Sequence, residues 1–341
     1  VVHAVSGKQV TLLDNPESVA YGMTQAQPLV KLDDVRGMEW LSGDELVVGK
    51  ENPTVFALRA AGTSLQPMNL FVRSYATGAE TALAPGSDDQ GYAVASPSRR
   101  HLFFKTSDGQ GQRGTGYLMD VQTRKSVQVT KKNEIELTDG AWANDETLLY
   151  ASADGTVYSV SADGTRKTKL FQARSPVSNL NRSAGNLFYT DPEGFLHVRS
   201  IRSGQDTIAA KRVVWAAPSP DGSRIGLVQR NKDGGMSMSV LDVQDTQVKI
   251  LLAEDARIFG PSWSPDGSRI AYALIGQNGM TKRVASTEIA NGQTTTLPLD
   301  IAFVADAPRW SPSGDRLMVT ASQTDENGGH PRFVTYLAAV E

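Results

Sequence analysis

Residues 217–228 read APSPDGSRIGLV, residues 261–273 read PSWSPDGSRIAYA, and residues 308–320 read PRWSPSGDRLMVT. They are three copies of one unit, in which a short apolar strand leads through a Pro-Asp-Gly or Pro-Ser-Gly turn into a second strand. The proline presets φ and the glycine accepts a positive φ, so the turn joins two antiparallel strands. A repeat of this kind predicts an all-β fold built from similar modules.

Four weaker copies of the unit precede these three clear copies, which we call the sharp copies, and bring the total to seven. They occupy residues 38–49, 93–105, 141–151 and 178–190. Neighbouring copies lie 38 to 55 residues apart, which is typical of propeller blades of about 40–50 residues. Six copies are followed by a second hairpin whose turn is rich in glycine, aspartate, serine or threonine, so each blade has four strands.

The sequence therefore predicts a single β-propeller domain over residues 1–341, with about seven four-stranded blades. The predicted blades cover residues 35–86, 87–132, 133–174, 175–211, 212–254, 255–300 and 301–341. Residues 1–34 are predicted to be a segment that closes the ring.

The last blade needs a strand from elsewhere, because only one strand follows Arg332. A strand from the N-terminal segment would complete the blade and hide an edge that could pair with another chain. Two stretches are candidates: residues 27–32 (QPLVKL), directly before blade 1, and residues 1–13 (VVHAVSGKQVTLL), which resemble a whole outer hairpin. The position of residues 27–32 favours the first.

The composition excludes several functions. The formal net charge is −3 and the basic residues are scattered, so we expect no nucleic-acid partner. The absence of cysteine excludes disulfides, thiolate metal sites and cysteine nucleophiles. No apolar run approaches the roughly 20 residues that cross a bilayer, so we expect no transmembrane segment. We expect a monomer.

At the sharp copies, as in Trp-Ser-Pro-Asp-Gly at residues 263–267, the chain resembles the TolB-like propellers, whose WD40-like repeats carry a Pro-Asp pair after the inner strand. The resemblance is strong over residues 213–340 and only structural in the first four blades. It implies export to the periplasm or outer surface, with a lipid anchor as one option if a leader was removed before Val1. It also implies a protein partner in the cell envelope.

The chain differs from TolB itself in one respect. An α/β domain precedes the propeller of TolB, whereas only about thirty-five residues precede blade 1 here, so the resemblance does not extend to the specific partners of TolB. Similar propellers also occur in prolyl-oligopeptidase-type peptidases and in oligogalacturonate lyases.

No catalytic or cofactor motif is convincing. The string nearest to a G-x-S-x-G nucleophile elbow, GPSWS at residues 260–264, lacks the last glycine and lies on an inner strand. The Asp-Gly pairs belong to turns, and no EF-hand loop occurs. We therefore predict no catalytic residue and no cofactor. A joint metal site is not expected either, because the histidines fall at unrelated blade positions: His3, His101, His197 and His330.

Tryptophans recur at equivalent positions of four inner strands: Trp40, Trp142, Trp263 and Trp310. Repetition at equivalent positions predicts packing between neighbouring blades rather than an aromatic ligand cage.

One face of the predicted ring carries the connections from second to third strand and from blade to blade, and the SPDG turns lie on the opposite face. Four of the second-to-third connections are predicted to be long: residues 51–70, 107–116, 230–237 and 322–332. Long insertions on one face of a repeat protein are where binding commonly occurs. The predicted partner surface comprises Arg59, Gln66, Met68, Arg113, Lys232, Met236 and His330. The alternative, tolerated surface insertions without a function, is equally compatible with the sequence.

Two functions remain open. The sequence favours an exported binding module that docks a protein or peptide through the long-loop face or the channel mouth, without catalysis. The alternative is a hydrolase or lyase that acts on a carbohydrate or peptide with carboxylates in the central channel as acid and base. Carboxylates or histidines that face one another across the channel would favour the enzyme.

Overall fold

The structure is a computed structural model. It describes residues 2–5, 8–11, 29–52, 67–83, 89–107, 113–136, 140–183, 185–232, 234–244, 247–254, 256–299, 301–323 and 332–340. Every regular element in these ranges is a β-strand, so they contain no helix that could span a membrane.

The first strands, β1 (Val2–Val5) and β2 (Lys8–Thr11), form a separate hairpin, and β3 (Val30–Asp33) follows. Blade 1 contains β4 (Arg36–Trp40), β5 (Glu45–Glu51), β6 (Met68–Ser74) and β7 (Glu80–Ala82). Blade 2 contains β8 (Asp89–Ala95), β9 (His101–Ser107), β10 (Arg113–Asp120) and β11 (Ser126–Gln128), with β12 (Ile135–Glu136) added to β10. Blade 3 contains β13 (Ala141–Asn144), β14 (Thr147–Ala151), β15 (Thr156–Ser161) and β16 (Lys167–Gln172).

Blade 4 contains β17 (Ser178–Ser183), β18 (Asn186–Thr190), β19 (Leu196–Ser200) and β20 (Asp206–Ala210). Blade 5 contains β21 (Val213–Pro218), β22 (Arg224–Arg230), β23 (Met236–Asp242) and β24 (Val248–Glu254). Blade 6 contains β25 (Arg257–Trp263), β26 (Arg269–Ile275), β27 (Thr281–Glu288) and β28 (Thr294–Thr296). Blade 7 contains β29 (Arg309–Trp310), β30 (Arg316–Gln323), β31 (Arg332–Ala339) and the N-terminal β3.

The predicted fold is confirmed: seven four-stranded antiparallel blades form a propeller, and an N-terminal strand closes the ring. β3 pairs with β31 from Val30↔Leu337 to Asp33↔Val334, so the closing strand overlaps the favoured residues 27–32. The other candidate, residues 1–13, supplies the hairpin β1–β2, whose strands pair with each other.

Buried hydrogen bonds also join blades 7 and 1 at their junction, which we call the seam. The hydroxyl of Thr335, which is fully buried, accepts a hydrogen bond from Gly37 N at 2.8 Å and donates one to Val35 O at 2.9 Å. Thr320 Oγ1 donates to Gly37 O at 3.3 Å. Two side chains of the last blade therefore satisfy backbone groups at the start of the first.

The tryptophans pack between blades, as predicted. Each indole N–H donates to a backbone carbonyl on the inner strand of the preceding blade. The acceptors are Arg309 O for Trp40 (3.1 Å), Val94 O for Trp142 (3.0 Å), Ala217 O for Trp263 (2.8 Å) and Ser262 O for Trp310 (2.9 Å). The tryptophan thus combines a large apolar contact with one directional bond across the blade boundary.

The arginine of the SPDGSR repeat links its blade to the next one. The guanidinium of Arg224 lies 5.2 Å from the ring centre of Trp263 and donates to Gly267 O at 3.0 Å. Arg269 lies 5.0 Å from the ring centre of Trp310 in the same way. The motif therefore encodes the contact between blades as well as the turn.

Hydrogen bonds inside the turn lower the pKa of its aspartate. Ser264 Oγ donates to Asp266 Oδ1 at 2.6 Å and Ser268 N donates to the same atom at 3.0 Å, and these bonds lower the pKa of Asp266 to about 2. Hydrogen bonds from Ser219, which has the largest effect, and from Ser223 lower the pKa of Asp221 to about 2. A bond to the ionised form favours that form.

Acid should therefore destabilise the protein through these turns. A carboxylate whose pKa is lower in the folded state adds stability above its unfolded pKa of 3.8, and this stability is lost as the pH falls towards 2. We expect urea unfolding to show a falling free energy between pH 4 and pH 2. The double variant Asp221→Asn/Asp266→Asn should be less stable at pH 7 and lose less over that interval. An equal loss in both proteins would contradict this assignment.

Candidate functional site

The connections between the second and third strands of the blades differ sharply in length. The connection in blade 1 has 16 residues (52–67) and that in blade 7 has eight (324–331). The others have four or five: residues 108–112, 152–155, 191–195, 231–235 and 276–280. The two long connections therefore belong to neighbouring blades, on either side of the seam.

The predicted long connections in blades 2 and 5 are shorter than the sequence suggested. In blade 2 the third strand already begins at Arg113, because Arg113 and Gly114 pair with β12. In blade 5, Asn231 N donates to Gly235 O at 2.8 Å and closes a tight turn before Met236. These connections match those of the other short blades and are not insertions.

Two of the predicted surface residues are core residues. Met68 begins β6 and is 4% exposed, and Met236 begins β23 and is 7% exposed. Each packs in a hydrophobic cluster between two blades, and Met236 Sδ accepts a hydrogen bond from Ile258 N at 3.3 Å. Their side chains contribute almost no surface to a partner.

Of the other predicted residues, Lys232 is exposed in the short turn of blade 5. Arg113 lies in β10, but its side chain is outside the described residues. Arg59, Gln66 and His330 lie outside the described residues as well. The first two belong to the 52–67 connection and His330 belongs to 324–331.

An ion pair spans the seam on the face of the long connections. Arg36 Nε donates to Asp306 Oδ2 at 2.8 Å and Arg36 Nη2 to Asp306 Oδ1 at 2.7 Å, and the side chains are 34% and 28% exposed. The guanidinium lies 5.0 Å from the ring centre of Phe333. Burial lowers the pKa of Arg36, but Asp306, and more weakly Asp89, outweigh burial and raise it. The Arg36 guanidinium is therefore charged, and about a third of each side chain is exposed.

The base of the 52–67 connection is fixed beside this ion pair. Asn52 N donates to Pro67 O at 2.9 Å, and Asn52 Nδ2 donates to Asn69 Oδ1 at 3.0 Å. Met68 N donates to Asp89 Oδ1 at 2.8 Å. The charge of Asp89 also raises the pKa of Arg36. Blades 1 and 2 thus hold both ends of the long connection in place.

Two exposed apolar side chains lie on the same face at the boundary between blades 6 and 7. Met280 ends the short turn of blade 6 and is 43% exposed, and Phe303 lies between blades 6 and 7 and is 44% exposed. Thr281 N donates to Ala302 O at 2.8 Å, which joins the two segments. Ser322 N donates to Phe303 O at 2.8 Å, which places Phe303 beside the start of the 324–331 connection.

We call Arg36, Met280, Phe303 and Asp306, with connections 52–67 and 324–331, the seam patch. Its described residues were missed by the sequence reasoning. Arg36 and Asp306 are 270 positions apart, so no local pattern joins them. Phe303 had a signal: it lies in the apolar run Ile-Ala-Phe-Val at residues 301–304, inside a connection of twelve residues (297–308) between blades.

Among the described residues, the inner strands carry only two carboxylates, Glu39 and Asp89, and both bind backbone N–H groups. Glu39 is 9% exposed and accepts from Trp40 N at 2.8 Å and Ala95 N at 3.3 Å. Asp89 accepts from Met68 N. Each therefore has a structural role at a blade boundary.

The two histidines with described side chains lie apart. The ring of His101 in blade 2 stacks on Trp142, with ring centres 6.1 Å apart. His197 in blade 4 lies between Asp191 (3.0 Å) and Asp206 (3.1 Å), which contact opposite ring nitrogens. Across the described ranges, no three His, Cys, Asp or Glu side chains are placed to hold one metal ion.

No protein-family model and no curated protein matches the sequence. Solved structures match the fold. An oligogalacturonate lyase in complex with manganese is 14% identical, with a TM-score of 0.67 over 92% of this chain and 91% of that one. The oligogalacturonate lyase of Vibrio parahaemolyticus is 11% identical, with a TM-score of 0.67 over 93% of each chain. TolB from Acinetobacter baumannii is 12% identical, with a TM-score of 0.52 over 83% of each chain.

These similarities show the propeller fold and nothing finer, because one fold hosts unrelated functions. The neighbours include both TolB-like proteins and lyases. The manganese belongs to the lyase, and the described residues of this chain offer no cluster of metal ligands to match it.

Proposed function

We propose that this chain is an exported, non-enzymatic binding propeller that docks a protein or peptide partner through the seam patch. The observation that carries the proposal is that three features occur on one face of neighbouring blades 6, 7 and 1: the two longest connections, a partly exposed ion pair, and two exposed apolar side chains. Exposed apolar anchors surrounded by polar groups are typical of protein interfaces.

The proposed contacts between the seam patch and the partner divide into two groups. Phe303 and Met280 supply apolar area, and the Arg36–Asp306 pair supplies a polar rim. We place Arg59, Gln66 and His330 in the contact as well, because they belong to the two long connections. Arg113 and Lys232 lie on the same face in blades 2 and 5 and would contact only a larger partner.

A location outside the cytoplasm and a partner in the cell envelope belong to this proposal. The resemblance of the SPDGSR copies to TolB-like repeats supports both, and so does the fold shared with TolB. We further propose that the protein acts as a monomer without a cofactor. The carboxylates of the inner strands support binding over catalysis, since both are engaged by backbone N–H groups.

The proposal is tested by replacing Phe303 with serine and measuring capture of partners from an envelope fraction. We expect at least a tenfold loss of capture, because a central aromatic anchor contributes about 1–2 kcal/mol or more. The fold should be unaffected, because the side chain is 44% exposed. Ile208→Ser is the matched control: Ile208 is 51% exposed on the outer strand of blade 4.

A photocrosslinking residue at position 303 should also form an adduct that the same residue at position 313, in the Pro-Ser-Gly turn on the opposite face, does not form. Equal adducts at both positions, or capture unchanged by Phe303→Ser, would discard the seam patch. Cleavage of oligogalacturonate by the purified protein would instead support the lyase alternative.

A further inference from the structure

The outer strands of the blades differ in how their edges are protected. Three of them, β7, β11 and β28, have only three residues. Short β3 carries Lys31 and Asp33, and β16 carries Lys169, whose ammonium bonds to Gln172 of the same strand. Short edges and charged side chains are the devices that prevent a strand edge from pairing with another chain.

Strand β24 lacks these devices. It has seven residues, and among the described strands only β23 pairs with it. Val248 is 54% exposed and Ile250 is 68% exposed, the highest value of any large apolar side chain in the described ranges. The two residues alternate with Lys249 and so lie on one side of the strand.

Lys249 does not protect this edge. Its ammonium donates to Ile289 O at 2.6 Å and Ala290 O at 2.8 Å, both in the outer turn of blade 6. The charge is therefore held against the neighbouring blade and is not projected over the edge. None of the described strands pairs with the outer edge of β24, so the backbone N–H and C=O groups of that edge are flanked by the exposed Val248 and Ile250.

We propose that β24 is a docking edge that takes an extended segment of another protein as a fifth strand of blade 5. The free edge of a strand selects an extended backbone, and the exposed Val248 and Ile250 select apolar residues at alternate positions of the segment. Pairing centres on residues 248–250, because a bulge follows at residue 251.

The area favours a partner segment over a second copy of this chain. A seven-residue strand is about 23 Å long, and a strip of that length about 10 Å wide buries roughly 500 Å² over both partners. Stable dimers bury about 1,200 Å² or more, so pairing of two β24 strands would not hold a dimer. A short, weakly bound segment fits the edge.

This edge is independent of the seam patch. It lies on the outside of blade 5, and β24 starts at the end of the ring that carries the SPDG turns, since it follows a third-to-fourth strand connection. Variants of Phe303 should therefore leave binding at β24 unchanged. Either proposal can thus be contradicted without affecting the other.

The test uses a soluble twelve-residue peptide in which valine alternates with threonine or lysine, and the same peptide with a central proline. Hydrogen exchange measured by mass spectrometry should show protection of β24 by the first peptide. The proline peptide should bind at least tenfold more weakly, because proline removes a donor from the ladder. Ile250→Lys should weaken binding at least tenfold, and the control Ile208→Lys should not change it.

Three results would overturn the proposal. They are protection that does not localise to β24, equal binding of the proline peptide, and equal weakening by Ile208→Lys. Sedimentation tests the remaining occupant: a dimer in the wild type that is lost in Ile250→Lys would make the occupant a second copy of the chain.

Discussion

Gly260→Ala is expected to lower the free energy of unfolding by about 2–6 kcal/mol, from a strained backbone and a steric clash that each contribute about 1–3 kcal/mol. Gly260 lies at the bulge of β25 with φ near 62°. A Cβ atom at this position would come within 2.5 Å of Ala307 Cα, which is backbone and cannot move aside. Urea unfolding followed by circular dichroism measures the loss.

Gly279→Ala is the matched control for this variant. Gly279 has φ near 81°, but nothing lies within 4 Å of its added Cβ. It should lose only the backbone term, about 1–3 kcal/mol. Equal losses in the two variants would show that the contact between Gly260 and Ala307 does not limit the packing of blades 6 and 7.

Trp40→Ala is expected to cost about 3–5 kcal/mol, the range for removing a buried tryptophan. Trp40 is fully buried in the seam and its indole donates to Arg309 O. Trp40→Phe keeps most of the apolar contact but leaves that carbonyl without its donor, which costs about 1–3 kcal/mol. Unfolding in urea should therefore rank the alanine variant below the phenylalanine variant, with the wild type most stable.

Trp215→Phe provides the comparison for the tryptophan series. Trp215 is half-buried and packs edge-on against Phe259, with ring centres 5.6 Å apart. Its indole forms no hydrogen bond with the described residues, so the substitution should cost less than about 1 kcal/mol. A larger loss than that of Trp40→Phe would argue against the indole bond as a seam contact.

The fold could be predicted from sequence because its turns are encoded locally. The SPDGSR copies identify the first hairpin of the last three blades, and the spacing of the seven copies of the unit predicts the number of blades. The closing strand also followed from local order, because residues 27–32 directly precede blade 1. In each case a short stretch of chain contains the information.

The candidate site depends on what lies across blade boundaries, which local patterns do not show. Met68 and Met236 were predicted at the surface because the predicted long connections, residues 51–70 and 230–237, included them. The pairing register instead makes them strand residues whose side chains lie in the core. Arg113 extends a strand because β12, from the following connection, pairs with it. The ion pair of Arg36 with Asp306 exists only because the ring brings its first and last blades together.

The closing strand determines how the ring would respond to a mechanical load. β3 and β31 are antiparallel, and the pair nearest both chain ends is Val30↔Leu337. Tension between the two ends would therefore reach the hydrogen bonds one after another, beginning at that pair, and would peel β3 away instead of shearing all four pairs at once. Blade 7 would open before the other blades, whose four strands each come from one continuous stretch of chain.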